Sequence, residues 1–355
     1  MENLNKLNKF WKNKKVFITG HTGFKGSWLS IILNMLGSNI YGYSLKPKKS
    51  SLFNQANCKN FIKKNIYADI NNYNLLKKEL KKINPQILFH LAAQPLVSDS
   101  FKNPIETLKT NIIGTSNILD IIKNIKSLKS VVIITTDKVY KIKKNNKSYS
   151  EIDHLGGKDP YSVSKVCAEL VTDSFANSFF EKSFLKNKVS TARSGNVIGG
   201  GDYSKNRLLP DIIRSVNTKK ILVIRNPNHI RPWQHVIEPL VGYMKLAEKQ
   251  FKSKKLDNYN SWNFGPKKEN FIKVISIVNL LKKKFNFDAK ITKKQKFSET
   301  KILKLNSKKS NRKLKWHNKW NLEKSLKKVM EWNEFFYKNV KAKQICEKQI
   351  REYFK

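Results

Sequence analysis

Two short clusters carry side chains that can do chemistry. Thr136-Asp137-Lys138 sets a hydroxyl, a carboxyl and an amine on consecutive residues, and Tyr161-Ser-Val-Ser-Lys165 places a phenol four residues before an amine. A spacing of four puts Tyr161 and Lys165 on one face of a helix. There the ammonium favours the phenolate and lowers a pKa that starts near ~10. A phenolate beside a hydride acceptor takes the proton of an alcohol while hydride leaves the same carbon, and Thr136 can donate to that oxygen and hold it. Simple alcohol oxidation needs neither Asp137 nor Lys138. Their presence suggests further acid–base work on the transient ketone. A ketone at C4 of a hexose acidifies the C5 proton, so an adjacent base can expel the C6 hydroxyl.

A lone Tyr-x-x-x-Lys is ordinarily a surface helix pair. Here it lies downstream of Thr19-Gly20-His21-Thr22-Gly23-Phe24-Lys25-Gly26, a glycine turn between a strand pattern and a helix pattern. That context gives the motif its meaning. Gly20 allows the tight turn, Gly23 lets the backbone approach a pyrophosphate, and Gly26 lets helix pack on strand. A diphosphate would sit at the positive end of the helix. The second strand closes on Tyr41-Gly42-Tyr43-Ser44-Leu45-Lys46, without the acidic residue that usually binds the adenosine ribose, so NADP stays open beside NAD. Asp69-Ile70 is placed to meet the adenine, and Ala92-Ala93 lets the cofactor backbone pass closely.

The elements that must position these groups alternate along the first half. Lys15–Thr19, Asn39–Tyr43, Ile66–Asp69, Ile87–His90 and Val131–Thr135 read as strands, with Phe24–Leu36 and Ile105–Ile125 as helices among them. Such alternation predicts an α/β fold, a Rossmann-type doubly wound parallel sheet, with a smaller C-terminal substrate-binding lobe. The expected division is residues 10–194 as an NAD-binding domain carrying the catalytic residues and 195–337 as a smaller lobe, which the family resemblance set out below makes mainly nucleotide-sugar-binding. Residues 338–355 are expected as a peripheral helical tail. Helices are predicted at Leu208–Val216, Pro239–Lys249, Phe271–Phe285 and Leu322–Tyr337.

The chain has 355 residues and a formal charge of +45, which points toward nucleic acid until its distribution is considered. The excess is lysine, scattered with asparagine and isoleucine, and it forms no single stripe. AT-rich codon usage produces the same bias, so no nucleic-acid partner is expected. Arginine is scarce and most of it falls between Arg193 and Arg231, where a rigid bidentate fork for phosphate is expected. Cys58, Cys167 and Cys346 have no metal-ligand spacing, so no metal site is expected and a reducing cytoplasm is. The N-terminus lacks an apolar signal region, and no apolar run approaches the ~20 residues that cross a bilayer. No membrane partner is expected.

Four segments carry a resemblance to a known family: Gly20-His-Thr-Gly-Phe-Lys-Gly-Ser-Trp28, His90-Leu-Ala-Ala-Gln-Pro-Leu-Val97, Ala192-Arg-Ser-Gly-Asn-Val-Ile-Gly-Gly-Gly-Asp202 and Ile224-Arg-Asn-Pro-Asn-His-Ile-Arg-Pro-Trp-Gln-His235. They resemble the nucleotide-sugar 4,6-dehydratases of the extended short-chain dehydrogenase/reductase family, over about Phe10 to Asn333. Lys138 stands where relatives acting on dTDP-glucose carry glutamate, as is usual in the CDP-glucose branch.

The resemblance implies a lyase that turns CDP-glucose into its 4-keto-6-deoxy product through a closed NAD cycle, at the head of deoxysugar supply for surface polysaccharide such as lipopolysaccharide O-antigen. It assigns Thr136, Asp137, Lys138, Tyr161 and Lys165 to catalysis. Gly20, Gly23, Phe24, Gly26, Asp69, Ile70 and Ala92, with Tyr161 and Lys165, go to the cofactor, and Asn196, Arg207 and Arg231 to the nucleotide diphosphate. Asn111 is assigned a structural role, and a homodimer through Ile105–Ile125 and Pro160–Phe179 is implied. Lys138 is either the C5 base or a stabiliser of the enolate. Thr136 stands where serine is common, which keeps the hydroxyl, whereas Asp99 falls where a basic residue is expected. Alternative readings are a dehydratase of another nucleotide sugar, then a nucleotide-sugar 4-epimerase, which would not need the Asp137-Lys138 pair, and more remotely a basic nucleic-acid-binding protein on a Rossmann scaffold.

Overall fold

Seven short runs, several rich in branched residues, build one parallel sheet in the computed structural model, which describes residues 4–143, 147–253, 260–292 and 300–355. They are β1 (Lys15–Thr19), β2 (Asn39–Ser44), β3 (Lys64–Tyr67), β4 (Ile87–His90), β5 (Ser130–Ile134), β6 (Val189–Ser194) and β7 (Asn260–Phe264). Their order is β7-β6-β5-β4-β1-β2-β3, and every neighbouring pair is parallel. β4 and β5 are buried at every residue, as strands covered on both faces must be. Strand order reverses between β1 and β4, which opens a crevice beyond their carboxyl ends. Thr19 pairs with both Tyr43 and His90, so the segments that follow β1, β2 and β4 emerge side by side.

Five helices matter for the site: α1 (Phe24–Met35), α2 (Pro160–Phe175), α3 (Ile237–Lys252), α4 (Leu322–Tyr337) and α5 (Ala342–Phe354). Trp28 and Leu29 of α1, Leu240 and Tyr243 of α3 and Ile345 and Ile350 of α5 share one core with Val16 and Val132 of the sheet. On the opposite face Leu76, Ile118 and Ile122 pack against Phe17, Leu88 and Val131. A third cluster, with Ile212, Trp233, Ile277 and Val329, holds the C-terminal lobe together. There the Leu222–Ile224 and Ala289–Ile291 strands pair in parallel.

Three expectations change. Residues 338–355 are not peripheral: α5 buries Ile345, Cys346, Ile350, Tyr353 and Phe354, and Tyr353 Oη donates to the buried Glu238 at 2.7 Å. The expected Phe271–Phe285 helix begins as a strand, Phe271–Lys273, that pairs antiparallel with Ile230–Pro232 before the helix Val274–Lys282. The expected Ile105–Ile125 helix is interrupted by a π turn at Lys109–Ile113. The chain also returns to the sheet through α3 and β7, so part of the expected C-terminal lobe packs with the seven-stranded sheet.

Candidate active site

The glycine turn occupies the crevice at the strand-order reversal. Gly20 has φ +72°, and a β-carbon there would stand 2.7 Å from the Ala92 amide nitrogen. A β-carbon at Gly26 would lie 2.2 Å from the Gly20 carbonyl oxygen, so α1 approaches β1 only because residue 26 is glycine. At Gly23 a β-carbon would meet only the Gly20 oxygen, at 3.3 Å, and open space otherwise. No side chain caps α1. Its first amides therefore face an open cradle of the kind that suits a diphosphate, and the residues present fit a dinucleotide.

Around that cradle, Ser44 and Thr22 join hydroxyls at 2.8 Å, and Thr22 donates to the Leu45 carbonyl at 3.0 Å. Asp69 is fixed by its backbone oxygen, which accepts from Tyr43 at 3.0 Å, and by Oδ1, which accepts the Asn71 amide at 2.7 Å. Ile70 is buried against Gly114, where a β-carbon would collide with it at 2.6 Å. Phe24 is partly buried and packs by Gly199. Asn111, inside the π turn, donates to Ser164 Oγ at 2.8 Å and to the Gln94 carbonyl at 3.1 Å. It accepts the Gln94 amide at 2.9 Å, so it ties the loop after β4 to α2.

Thr136, just beyond β5, caps a short 3-10 turn, Asp137–Val139, and accepts the Lys138 amide at 3.4 Å. Its hydroxyl donates to Asp137 Oδ1 at 3.1 Å. Asp137 is 2 % exposed, and its Oδ2 has no hydrogen-bond partner among the described residues. Burial pushes its pKa up against the pull of Lys138, Arg231, Thr136 and Lys25. A buried carboxyl biased toward its protonated form, with one oxygen free, can act as an acid.

Tyr161 enters because Asp159 caps α2, accepting the Ser162 amide at 2.9 Å, and Pro160 opens the helix. Lys165 was expected to lower the phenol's pKa. In the protein alone burial wins and pushes Tyr161 up to about 12, while the neighbouring Thr136 hydroxyl and Arg207 favour the phenolate. Lys165 Nζ donates to the Ile134 carbonyl at 3.1 Å. Burial pushes its pKa down to about 8, opposed by Glu169 one turn further on.

Arg207 and Arg231 both reach this cluster. Arg207 bonds Asp202 at 3.3 Å and its charge acts on Tyr161 and Lys25. The buried Arg231 bonds the Lys301 carbonyl at 3.2 Å and its charge acts on Asp137. Asn196 follows Gly195, where a β-carbon would stand 3.1 Å from Asp137 Oδ2, and its carbonyl accepts the Gln234 amide at 3.2 Å. Trp233 is a core residue, donating to the Ile272 carbonyl at 3.1 Å.

Two residues were not singled out from sequence. Glu169 extends Tyr161 and Lys165 at the same spacing of four, a signal present in the chain. Lys25 lay inside the glycine turn and was read only as part of its motif, yet its Nζ donates to Ser194 Oγ at 2.8 Å, within the cluster.

The chain is similar to known proteins in sequence and in fold. The family described as GDP-mannose 4,6 dehydratase matches residues 17–329. A curated Salmonella typhimurium protein, CDP-glucose 4,6-dehydratase, is 40% identical over 97% of this chain and 97% of its own length. A Dictyostelium discoideum dTDP-D-glucose 4,6-dehydratase is 32% identical over 63% of this chain and 53% of its own. In fold, the chain is similar to a Streptomyces venezuelae dTDP-glucose 4,6-dehydratase solved with NAD and TYD bound. The TM-score is 0.77 at 18% identity, covering 90% of this chain and 96% of that one.

Proposed function

The chain belongs to the GDP-mannose 4,6-dehydratase family, within the extended short-chain dehydrogenase/reductases, and on that footing we propose that it removes water from CDP-glucose to give CDP-4-keto-6-deoxyglucose. NAD, which the glycine cradle fits, would supply a reversible hydride acceptor there, and no net reductant would be consumed. The observation that carries the reading is Asp137, a buried and partly unpartnered carboxyl beside Tyr161 and Thr136. Oxidation or epimerisation at C4 alone has no use for it.

Each residue then has a task. Tyr161, as the phenolate that the Thr136 hydroxyl and Arg207 favour against burial, takes the C4 hydroxyl proton, with Lys165 one turn further on supporting that charge. Asp137 gives its proton to the departing C6 hydroxyl, which leaves as water. Lys138, on the same turn, serves the C5 proton, either as its base or by stabilising the enolate. Arg207, Arg231 and Asn196 hold the nucleotide diphosphate, which wants planar, permanently charged donors. Gly20, Gly23, Phe24, Gly26, Asp69, Ile70 and Ala92 line the cofactor's place.

The finer context follows from the same reading. Ile113 and Leu170, 51% and 54% exposed on neighbouring helical segments, support a homodimer through those segments. Free Cys58, Cys167 and Cys346 fit a reducing cytoplasm. The product would enter deoxysugar supply for surface polysaccharide, including lipopolysaccharide O-antigen. No helix among the described residues is long and apolar enough to cross a membrane. Incubation with CDP-glucose and NAD+ tests the function: the expected result is loss of one water from the sugar nucleotide, by mass.

A further inference from the structure

Hydride transfer must keep two walls of the crevice at a fixed spacing: the cofactor cradle that follows β1, and the start of α2, which carries Tyr161. Between them runs a line of buried side chains that no step of the proposed dehydration uses. Thr19, which ends β1, His90, which ends β4, and Thr115, Asn111 and Ser164 are each at most 1% exposed.

They form an unbroken chain. The Ala92 amide donates to Thr19 Oγ1 at 3.2 Å, and Thr19 Oγ1 lies 2.8 Å from His90 Nδ1. His90 Nε2 lies 3.1 Å from Oγ1 of Thr115, on the helix Gly114–Ile122, and Thr115 donates to the Asn111 carbonyl at 2.7 Å. Asn111 Nδ2 donates to Ser164 Oγ at 2.8 Å, and Ser164 donates to the Tyr161 carbonyl at 2.7 Å.

One assignment of protons satisfies every link. Thr115 gives its hydroxyl proton to the Asn111 carbonyl, so it can only accept from His90, and Nε2 carries the ring proton. Nδ1 is then bare and accepts from Thr19, whose oxygen in turn accepts the Ala92 amide. The other tautomer takes the hydroxyl proton away from the Asn111 carbonyl. It also leaves Thr19 with two donors and, among the described residues, no acceptor. Burial and the charge of Lys165 push His90 down to about 3, so the ring stays neutral.

Building on the proposed roles of the glycine cradle and Tyr161, we propose that His90 is a positioning residue that, as its Nε2–H tautomer, fixes the cofactor cradle against the catalytic helix. Through Thr19 it sets the Ala92 amide close against Gly20, where a β-carbon would stand 2.7 Å from that nitrogen. Through Thr115 it sets the π turn whose Asn111 reaches Ser164 and so the first turn of α2. His90 touches neither cofactor nor sugar in this account. The spacing it holds matters because a misplacement of about 1 Å can cost about 10²-fold in rate.

The test uses full-length protein with His90→Gln and His90→Leu. Glutamine carries an acceptor and a donor on one carbon, as the ring carries Nδ1 and Nε2 about Cε1, whereas leucine fills space and makes neither bond. His90→Leu should weaken NADH binding, followed by fluorescence titration, by about tenfold. It should also lower CDP-glucose turnover at saturating NAD+ by about 10²-fold, and His90→Gln should recover most of both. Nitrogen NMR of histidine-labelled wild type, with His90 assigned by its loss in His90→Gln, should show Nε2 protonated and Nδ1 bare. If His90→Leu does not fold, Thr115→Val cuts the chain one link on with little change of shape, and should show both losses. A packing role predicts leucine at least as good as glutamine, and that ranking would overturn the proposal, as would a ring protonated on Nδ1. If wild-type protein does not dehydrate CDP-glucose, the functional reading fails. NADH affinity and the tautomer still decide the role of His90.

Discussion

Glu169 and Arg193 meet as a buried two-point ion pair, Arg193 Nε to Oε1 and Nη2 to Oε2 at 2.9 Å each. Thr135 and Thr191 donate to the same carboxylate, so α2 is bolted to β6 and to the end of β5 behind Lys165. Arg193 therefore braces the fold, while Arg207 and Arg231 face the site. Removing one partner of a buried pair strands the other charge. Glu169→Gln should cost about 3–5 kcal/mol, measured by urea unfolding. A loss under 1 kcal/mol would show that α2 is held otherwise.

Asp137→Asn keeps the shape of the acid without its proton. Dehydration should fall by about 10²- to 10⁴-fold. Oxidation at C4 uses Tyr161, Thr136 and Lys165 and not Asp137, so reduced cofactor should still appear when CDP-glucose is added. Equal loss of both partial reactions would remove Asp137 from the elimination step.

Glu238 gives the fold its own pH dependence. It is fully buried and accepts the Lys319 and Trp320 amides and the Tyr353 hydroxyl, yet burial pushes it up to about 7. A carboxyl raised in the folded state stabilises fully below its unfolded pKa near ~4.3, and that contribution is lost as pH rises through the folded value. The loss between about pH 4.5 and 7.5 amounts to about 3 kcal/mol. Urea midpoints across that range should fall for the wild type and stay nearly level in Glu238→Gln. Parallel slopes for the two proteins would assign the dependence elsewhere.

The proposed dimer rests on exposed apolar residues that a solvated helix pair has no reason to keep. Leu170→Lys should shift sedimentation from dimer to monomer and leave the CDP-glucose site intact within each chain. A wild-type monomer at micromolar concentration would contradict the dimer.

The catalytic cluster was legible because each part is contiguous: Thr136-Asp137-Lys138 on one turn, Tyr161 and Lys165 on one helix face, the three glycines on one turn. β1, β4 and β5 were legible as short runs rich in apolar residues, whereas the polar start of β3 hid its bounds: expected at Ile66–Asp69, it lies at Lys64–Tyr67. β7, Asn-Ser-Trp-Asn-Phe, was not, since its two asparagines and serine hide a strand whose polar Asn263 is satisfied by Tyr140, Tyr149 and Asn306. The seating of α5 was hidden for a different reason. Its partners in α1 lie some three hundred residues earlier, and an amphipathic tail reads the same whether it docks or floats. The position of Lys25 depends on Ser194 and Tyr243, distant in sequence and joined only by the fold. The lowered pKa expected at Tyr161 is offset in the protein alone by burial, which spacing does not report.

The central claim is tested most directly by incubating purified protein and NAD+ with CDP-glucose, dTDP-glucose, UDP-glucose and GDP-mannose, and following each sugar nucleotide by mass and the 4-keto product by its alkaline absorbance. The account predicts loss of one water from CDP-glucose and none from the other three. Water lost only from another sugar would overturn the assigned base, and water lost from none would overturn the dehydratase.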